Sequence, residues 1–346
     1  MTDITFTEIN QLGEFGLIDH LSKKIKIYND SSKKGIGDDC AVIDYGNDFQ
    51  TVVSTDIFID KVHFDLVYAP LKHLGYKVVV AGISDIYAMN AMAQQVLISF
   101  AVSNKFSVEM MDELYAGIIA ACDHYQVDFV GGDTTTIEKG LVINVTAIGK
   151  APKENIVYRN GAGKNELICV SGDLGGAYVG LLILEREKLI YLDNPEFVPK
   201  LDGYDYVLGK NLKPECRKDV VETLKILEII PTSMIDISDG LSSEMIHLCS
   251  QSGVGCKIFE DKLPIDPSTY ELAREFNLDP TTCMLNGGED YELLFTIKQD
   301  DYEKVKNHPD FTVIGHTSDV ENSFMLITKS GNEHPLKAQG WKVFGK

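Results

Sequence analysis

Carboxylates recur in this chain where an apolar segment gives way to glycine, serine or threonine. The densest case is Ser233-Met-Ile-Asp-Ile-Ser-Asp-Gly-Leu241, in which Asp236, Ser238 and Asp239 sit among apolar residues ahead of a glycine. Gly37-Asp-Asp39, Ser54-Thr-Asp56, Ser84-Asp85 and Gly131-Gly-Asp-Thr134 repeat the habit. An apolar strand that ends in two carboxylates and a hydroxyl is costly unless water, a cation or a hydrogen-bond donor lies among the oxygens. Oxygen ligands at this density suit Mg²⁺ or Mn²⁺ rather than zinc. Several such ions in one place need a ligand of large negative charge, and a polyphosphate meets that need. Phosphoryl transfer asks mainly for positioning and charge neutralisation, so this donor set points to that chemistry.

These side chains must be positioned by the elements around them. Residues 8–34 read as a helical lead-in with Leu12, Phe15, Leu17, Ile18 and Leu21 on one face. Ala41–Ile43 and Gln50–Val53 flank the turn Tyr45-Gly-Asn-Asp48 and read as a hairpin. Leu74–Met92 is an apolar helical stretch interrupted at Gly82-Ile-Ser-Asp85. Asp85 is then either an acid inside a helix, or, with Ser84, the N-cap of a second one. Strands are expected at 97–102, 127–130, 141–149, 167–170 and 233–236. Helices are expected at 107–125, 177–184, 217–229 and 241–252, and Pro267 opens a further short one with Asp266 as its cap. Residues 190–213 read as an irregular, acidic surface excursion, and a domain boundary falls near 150–165.

Taken singly the motifs are weak. A Gly-Gly-Asp-Thr turn needs no ligand, because ordinary turns use the same residues. Gly163-Lys164 fails as a P-loop, since Tyr158 stands where the first glycine belongs and Asn165 where Ser or Thr belongs. Ser171-Gly-Asp-Leu-Gly-Gly176 has the wrong glycine spacing for a dinucleotide fingerprint and reads instead as close helix–strand packing. Lone histidines are mostly structural, although His63 lies seven residues past a strand-end acid. Glu289 and Asp290 are either solvated turn acids or acids held toward a polar ligand. Trp341, the sole tryptophan, is either core or a stacking surface for a flat ring.

Composition excludes several classes. The 346 residues are 44% hydrophobic and carry a net charge of −20, which argues against a nucleic-acid or anionic-membrane surface. No apolar run approaches the roughly 20 residues that span a bilayer. The first residues lack the basic and apolar regions of a signal peptide, so a cytoplasmic protein is expected. Seven cysteines, with no Cys-x-x-Cys, read as free buried thiols. The eight histidines include no His-x-x-x-His pair, which disfavours a zinc hydrolase.

Joint occurrence is far more specific. Gly35-Ile-Gly-Asp-Asp-Cys-Ala-Val42, Ser54-Thr-Asp56 with His63-Phe64, Ser84-Asp-Ile86, Gly131-Gly-Asp-Thr-Thr135, Arg159-Asn-Gly-Ala162, Asp236-Ile-Ser-Asp-Gly-Leu241 and Gly287-Gly-Glu-Asp-Tyr-Glu-Leu-Leu-Phe295 follow one another in the order seen in thiamine-monophosphate kinases. The resemblance spans roughly residues 13–345. It is less specific within the wider superfamily of aminoimidazole ribonucleotide synthetase, selenophosphate synthetase and the hydrogenase maturation factor.

The resemblance implies an α+β fold of two domains. The first, residues 1–150, is a mixed sheet-and-helix domain that binds metal and ATP and pairs with a second copy. The second, 151–346, is a layered α/β domain that completes the site. The resemblance further implies ATP-dependent, Mg²⁺-assisted phosphorylation of thiamine monophosphate, by direct in-line transfer and without a side-chain nucleophile. The implied metal ligands are Asp39, Ser54, Thr55, Asp56, Asp85, Asp133, Asp236 and Asp239. Gly132, Asp133, Arg159 and Ser238 would contact ATP; His63, Glu289 and Trp341 would contact thiamine monophosphate. Two alternatives remain at this level: a cyclo-ligase of the same superfamily, and an acidic protein that only binds cations. One departure is Asn90, where the family usually has glycine; Asn tolerates positive φ best among the alternatives.

Overall fold

The chain, described over residues 8–340 by a computed structural model, builds two seven-stranded sheets. The first contains β1 (Ser32–Lys34), β2 (Ala41–Ile43), β3 (Phe49–Ile59), β4 (Met92–Ser103), β5 (Asp128–Gly131), β6 (Thr134–Ile137) and β7 (Leu141–Pro152). Its order is β1-β2-β3-β7-β4-β5, with β6 also on β4. The helices of this half are α1 (Gly13–Ser22), α2 (Leu71–Ala88) and α3 (Val108–Tyr125).

The second sheet holds β8 (Leu167–Ser171), β9 (Ser233–Asp236), β10 (Gly255–Phe259), β11 (Leu293–Ile297), β12 (Phe311–Ser318), β13 (Phe324–Ile327) and β14 (Glu333–Pro335), in the order β14-β13-β10-β12-β8-β11-β9. With it go α4 (Gly176–Asp193), α5 (Asp205–Leu212), α6 (Lys218–Ile226), α7 (Leu241–Ser252), α8 (Pro267–Glu275), α9 (Pro280–Asn286) and α10 (Tyr302–Val305).

The two sheets follow different rules. Along β7 buried residues alternate strictly with half-exposed or exposed ones, as expected of a sheet covered on one face. β9 and β11 are buried at every position, so apolar runs here mark strands covered on both faces. Ile168 and Val170 of β8 join the core under α7, while Cys169 joins the larger core shared with the first half of the chain.

Between the layers lies α2, which packs on β3, β4 and β7 and also on β9. It is buried almost all round, so it shows no clean polar stripe. Its axis runs hard against α3. A Cβ on Gly75 would stand 2.1 Å from the Leu114 carbonyl oxygen, and one on Gly117 would stand 1.9 Å from that of Lys72. These two glycines therefore let the helix backbones touch.

Several expectations change. The helix expected over 74–92 has no break at Gly82-Ile-Ser-Asp85: α2 runs from Leu71 through Gly82, Ser84 and Asp85 to Ala88, and Met92 already opens β4, so the N-cap reading of Asp85 is wrong. Gly82 is there because a Cβ would press to 3.0 Å from the Val145 methyls. The excursion at 190–213 is partly helical, with Val207, Leu208 and Asn211 of α5 buried. α1 forms as expected, yet Phe15, Ile18 and Leu21 stay exposed, although the Phe15 ring lies 4.1 Å from that of His247 on α7. Asn90 takes φ = 53°, the left-handed geometry glycine would supply. All seven cysteines are buried and free.

Candidate active site

Three of the expected acids converge where α2 meets β9. Asp39 enters from the turn before β2, Asp85 from α2 and Asp236 from the end of β9. One carboxylate oxygen from each lies within 4.8 Å of the others. Residues almost 200 positions apart thus share one small volume, drawn from both halves of the chain.

Hydroxyls and one guanidinium hold this group in place. Ser84 donates to Asp236 Oδ2 at 2.6 Å, and Ser54 on β3 donates to Asp85 Oδ2. Arg159, in the connection between the sheets, donates from Nε to Asp39 Oδ1 at 3.0 Å and from its backbone N–H to Asp38 Oδ1 at 3.0 Å. Asp39 Oδ2 is buried without a partner. An orphaned carboxylate oxygen beside two further carboxylates is what a hard divalent cation takes up, and the donors are all oxygen. The residues fit Mg²⁺.

Electrostatics tell the same story. Burial raises the pKa of Asp39, and Arg159 opposes the rise only in part. Asp85 is raised by burial and by Asp56, Asp236 and Asp39. Asp56, on the same face of β3 as Ser54, is raised by burial and by Asp39. Asp236 is raised by burial against the pull of Ser84 and Arg159. Like charges crowd a dry site here, and a cation would relieve them.

Asp239 lies in the turn before α7, outside the group of three, with its pKa pushed by burial to about 6. That turn is held by Glu244, a residue sequence reading missed. Its Oε1 accepts the Asp239 N–H at 2.8 Å and the Ser238 N–H at 3.2 Å. Burial pushes Glu244 to about 8. Ser238 itself is exposed, and its hydroxyl makes a long contact of 3.5 Å to the same Glu244 oxygen.

Two expected ligands are placed differently. Thr55 turns its side chain to the opposite face of β3, where it contacts Thr146 and the Val145 carbonyl. The two-residue period of a strand puts Ser54 and Asp56 on one face and Thr55 on the other. Asp133 is exposed at the far side of the sheet. Asp56 opposes Val145, Val145 opposes Ile98, and Gly132 lies against Ile98. Three strand spacings separate them, about 14 Å, so Asp133 does not share an ion with Asp39, Asp85 and Asp236 within this chain.

Of the expected substrate residues, His63 and Glu289 lie near one another. His63 Nδ1 accepts the Ile59 N–H at 3.0 Å, which leaves Nε2 as the donor of the neutral ring. Burial lowers its pKa against the opposing pull of Glu289, which favours the neutral ring. Glu289 sits in a tight loop with φ = 64°, and Tyr291 follows at φ = 52°. The loop is pinned to the Asp236 turn: Glu289 N–H donates to the Ser238 carbonyl at 2.7 Å, and Tyr291 N–H donates to that of Ile237 at 2.9 Å. Gly288 has no room for a Cβ beside the Ser238 carbonyl. Two left-handed non-glycine residues in one loop are a strain that packing must hold.

Asp290 is not a solvated turn acid. It is buried, accepts the Gly175 N–H at 2.9 Å, and is pushed by burial to about 8. Lys77 of α2 was also missed, and its ammonium donates to Glu289 Oε2 at 2.9 Å. A lysine inside Tyr76-Lys-Val-Val-Val80 is the signal that marks it. Trp341 lies outside the described residues.

This fold and acid cluster define a class: residues 37–151 match the family of AIR synthase related proteins, N-terminal domain. The chain is 32% identical over 339 residues to thiamine-monophosphate kinase of Aquifex aeolicus, covering 97% of this chain and 99% of that one. It is 30% identical over 338 residues to thiamine-monophosphate kinase of Bacillus subtilis, covering 96% and 100%. The solved structure of AaThiL complexed with AMPPCP and TMP superposes with a TM-score of 0.81 at 28% identity, covering 98% and 99%. The chain belongs to the thiamine-monophosphate kinase family.

Proposed function

We propose that this chain transfers the γ-phosphoryl group of ATP to thiamine monophosphate, giving ADP and thiamine diphosphate. The observation that carries the reading is the meeting of Asp39, Asp85 and Asp236 from both halves of the chain, in a member of this kinase family. AaThiL, a relative of the same fold, is complexed with AMPPCP and TMP; AMPPCP is a methylene analogue of ATP.

In the proposed step an oxygen of the acceptor phosphate attacks the γ-phosphorus in line. The bond to the β–γ bridging oxygen breaks, and ADP leaves with that electron pair. The acceptor is already anionic at neutral pH, so no side-chain nucleophile is called for. Mg²⁺ held by Asp39, Ser54, Asp56, Asp85, Asp236 and Asp239 would neutralise the phosphates and the developing charge. Arg159 offers planar donors to phosphate oxygens once ATP competes with Asp39 for them. Ser238 and Gly132 line the nucleotide, and Asp133 serves ATP and an ion separate from the acid cluster. His63 and Glu289, with Trp341, receive thiamine monophosphate.

Residues 1–150 and 151–346 act as two domains with the reaction between them. A homodimer is part of the reading. Thr55, Ile57, Asn144 and Thr146 face outward on a sheet face that no helix covers among the described residues, and a second copy would cover it. Among the described residues no helix is long and apolar enough to cross a membrane, and we place the activity in the cytoplasm, where ATP is available.

The test is an incubation with ATP, Mg²⁺ and thiamine monophosphate, with ADP, free phosphate and thiamine diphosphate resolved. Thiamine diphosphate equal to ADP is expected. Free phosphate without thiamine diphosphate refutes the kinase reading and favours a cyclo-ligase; no turnover leaves only a cation-binding protein.

A further inference from the structure

The geometry points to Lys77 as a positioning residue that selects the acceptor, by fixing which oxygen of Glu289 faces the substrate. This rests on the assignment of Glu289 to thiamine monophosphate above.

Lys77 lies two turns before Ser84 on α2, and its side chain is only 6% exposed. Its ammonium donates to Glu289 Oε2 at 2.9 Å and to the Asn211 carbonyl at 3.0 Å. The Asn211 amide donates to the same Glu289 oxygen at 3.4 Å. Helices α2 and α5 and the 287–292 loop therefore meet at one carboxylate oxygen. Oε1 takes no hydrogen bond from the described residues, and the Glu289 side chain keeps 29% of its surface exposed. One oxygen is held by protein and the other is offered outward.

A buried ammonium needs a partner, and here the partner also gains a fixed charge balance. Glu289 differs in this from the crowded carboxylates of the acid cluster. A carboxylate already matched by its own lysine competes poorly for a divalent ion. It still accepts an N–H bond and still sits well against a delocalised cation. Thiamine monophosphate carries both features, an aminopyrimidine and a thiazolium ring. Lys77 thus keeps Glu289 for the organic end of the acceptor while the aspartates take the ions.

The test uses the full chain and steady-state kinetics for wild type, Lys77→Met, Lys77→Arg and Glu289→Gln, varying each substrate with the other saturating. Lys77→Met should raise KM for thiamine monophosphate tenfold or more and leave KM for ATP within about twofold, since only the acceptor end is disturbed. Lys77→Arg should recover part of the loss, and Glu289→Gln should show the same split. If Lys77→Met does not fold, the double variant K77M/E289Q removes both charges and should raise KM for thiamine monophosphate no further than Glu289→Gln alone; a clear further rise overturns the role of Lys77. Unchanged KM for thiamine monophosphate, or an equal loss for both substrates, overturns the role of Lys77. A wild-type protein that leaves thiamine monophosphate untouched overturns instead the function on which it rests.

Discussion

Ser84 donates its hydroxyl to Asp236 at 2.6 Å across 152 residues of chain, and both residues are buried. A neutral donor from the first half thereby orients a carboxylate from the second. Ser84→Ala leaves that oxygen unsatisfied, at a cost of about 1–3 kcal/mol. The expected result is a lower melting temperature and a higher Mg²⁺ requirement. Wild-type Mg²⁺ dependence in Ser84→Ala would show that Asp236 is oriented by something else.

Asp85→Asn removes one charge from a group of like charges. Turnover should fall by roughly a hundredfold or more, as for loss of a group that holds catalytic metal. Without metal the variant should melt no lower than wild type, because repulsion is relieved. Mg²⁺ should raise the melting temperature of wild type and leave the variant nearly unmoved. Melting curves with and without Mg²⁺ check both halves.

Raised carboxyl pKa values carry a signed consequence. Asp239 at about 6 and Glu244 at about 8 hold protons in the folded chain that the unfolded chain, with ordinary values near 4, has already released. The folded state binds more protons between these limits, so metal-free stability declines as pH rises from about 4 to about 8. Asp39 and Asp236 are shifted the same way by burial. Mg²⁺ competes with those protons, so its stabilisation should grow over the same window. Denaturant titrations at several pH values, with and without Mg²⁺, read both trends; metal-free stability that climbs with pH contradicts the burial assigned to these acids.

Glu215 ties the halves together away from the reaction. The Tyr76 and Tyr125 hydroxyls both donate to its Oε2, and Lys213 pairs with Oε1 at 2.8 Å. Glu215→Ala strands two tyrosine hydroxyls and should cost about 1–3 kcal/mol. Chemical denaturation should show the loss, with kcat little changed. A large kcat effect would mean that this latch moves during turnover.

Much of the site was legible because carboxylates are conspicuous in apolar surroundings. Asp39, Asp85 and Asp236 meet as their setting predicted. What escaped was what a one-dimensional pattern hides. Thr55 stands between Ser54 and Asp56, and strand geometry alone sends it to the other face. Asp133 shares the local motif, but strand order sets it apart. Lys77 was readable as a charge within an apolar helix, whereas Glu244 resembled any first-turn glutamate until its backbone partners were visible. Gly82 suggested a break in a helix and instead made room for Val145.

The contact of Gly75 with Leu114 and of Gly117 with Lys72 has a reach beyond folding. Lys77, Ser84 and Asp85 ride on a single rod, and these two bare backbones set its height. Any side chain added there would lift the acceptor, orienting and ion-binding groups together. Inherited change at either glycine should then read as a loss of catalysis, although neither residue touches a reactant.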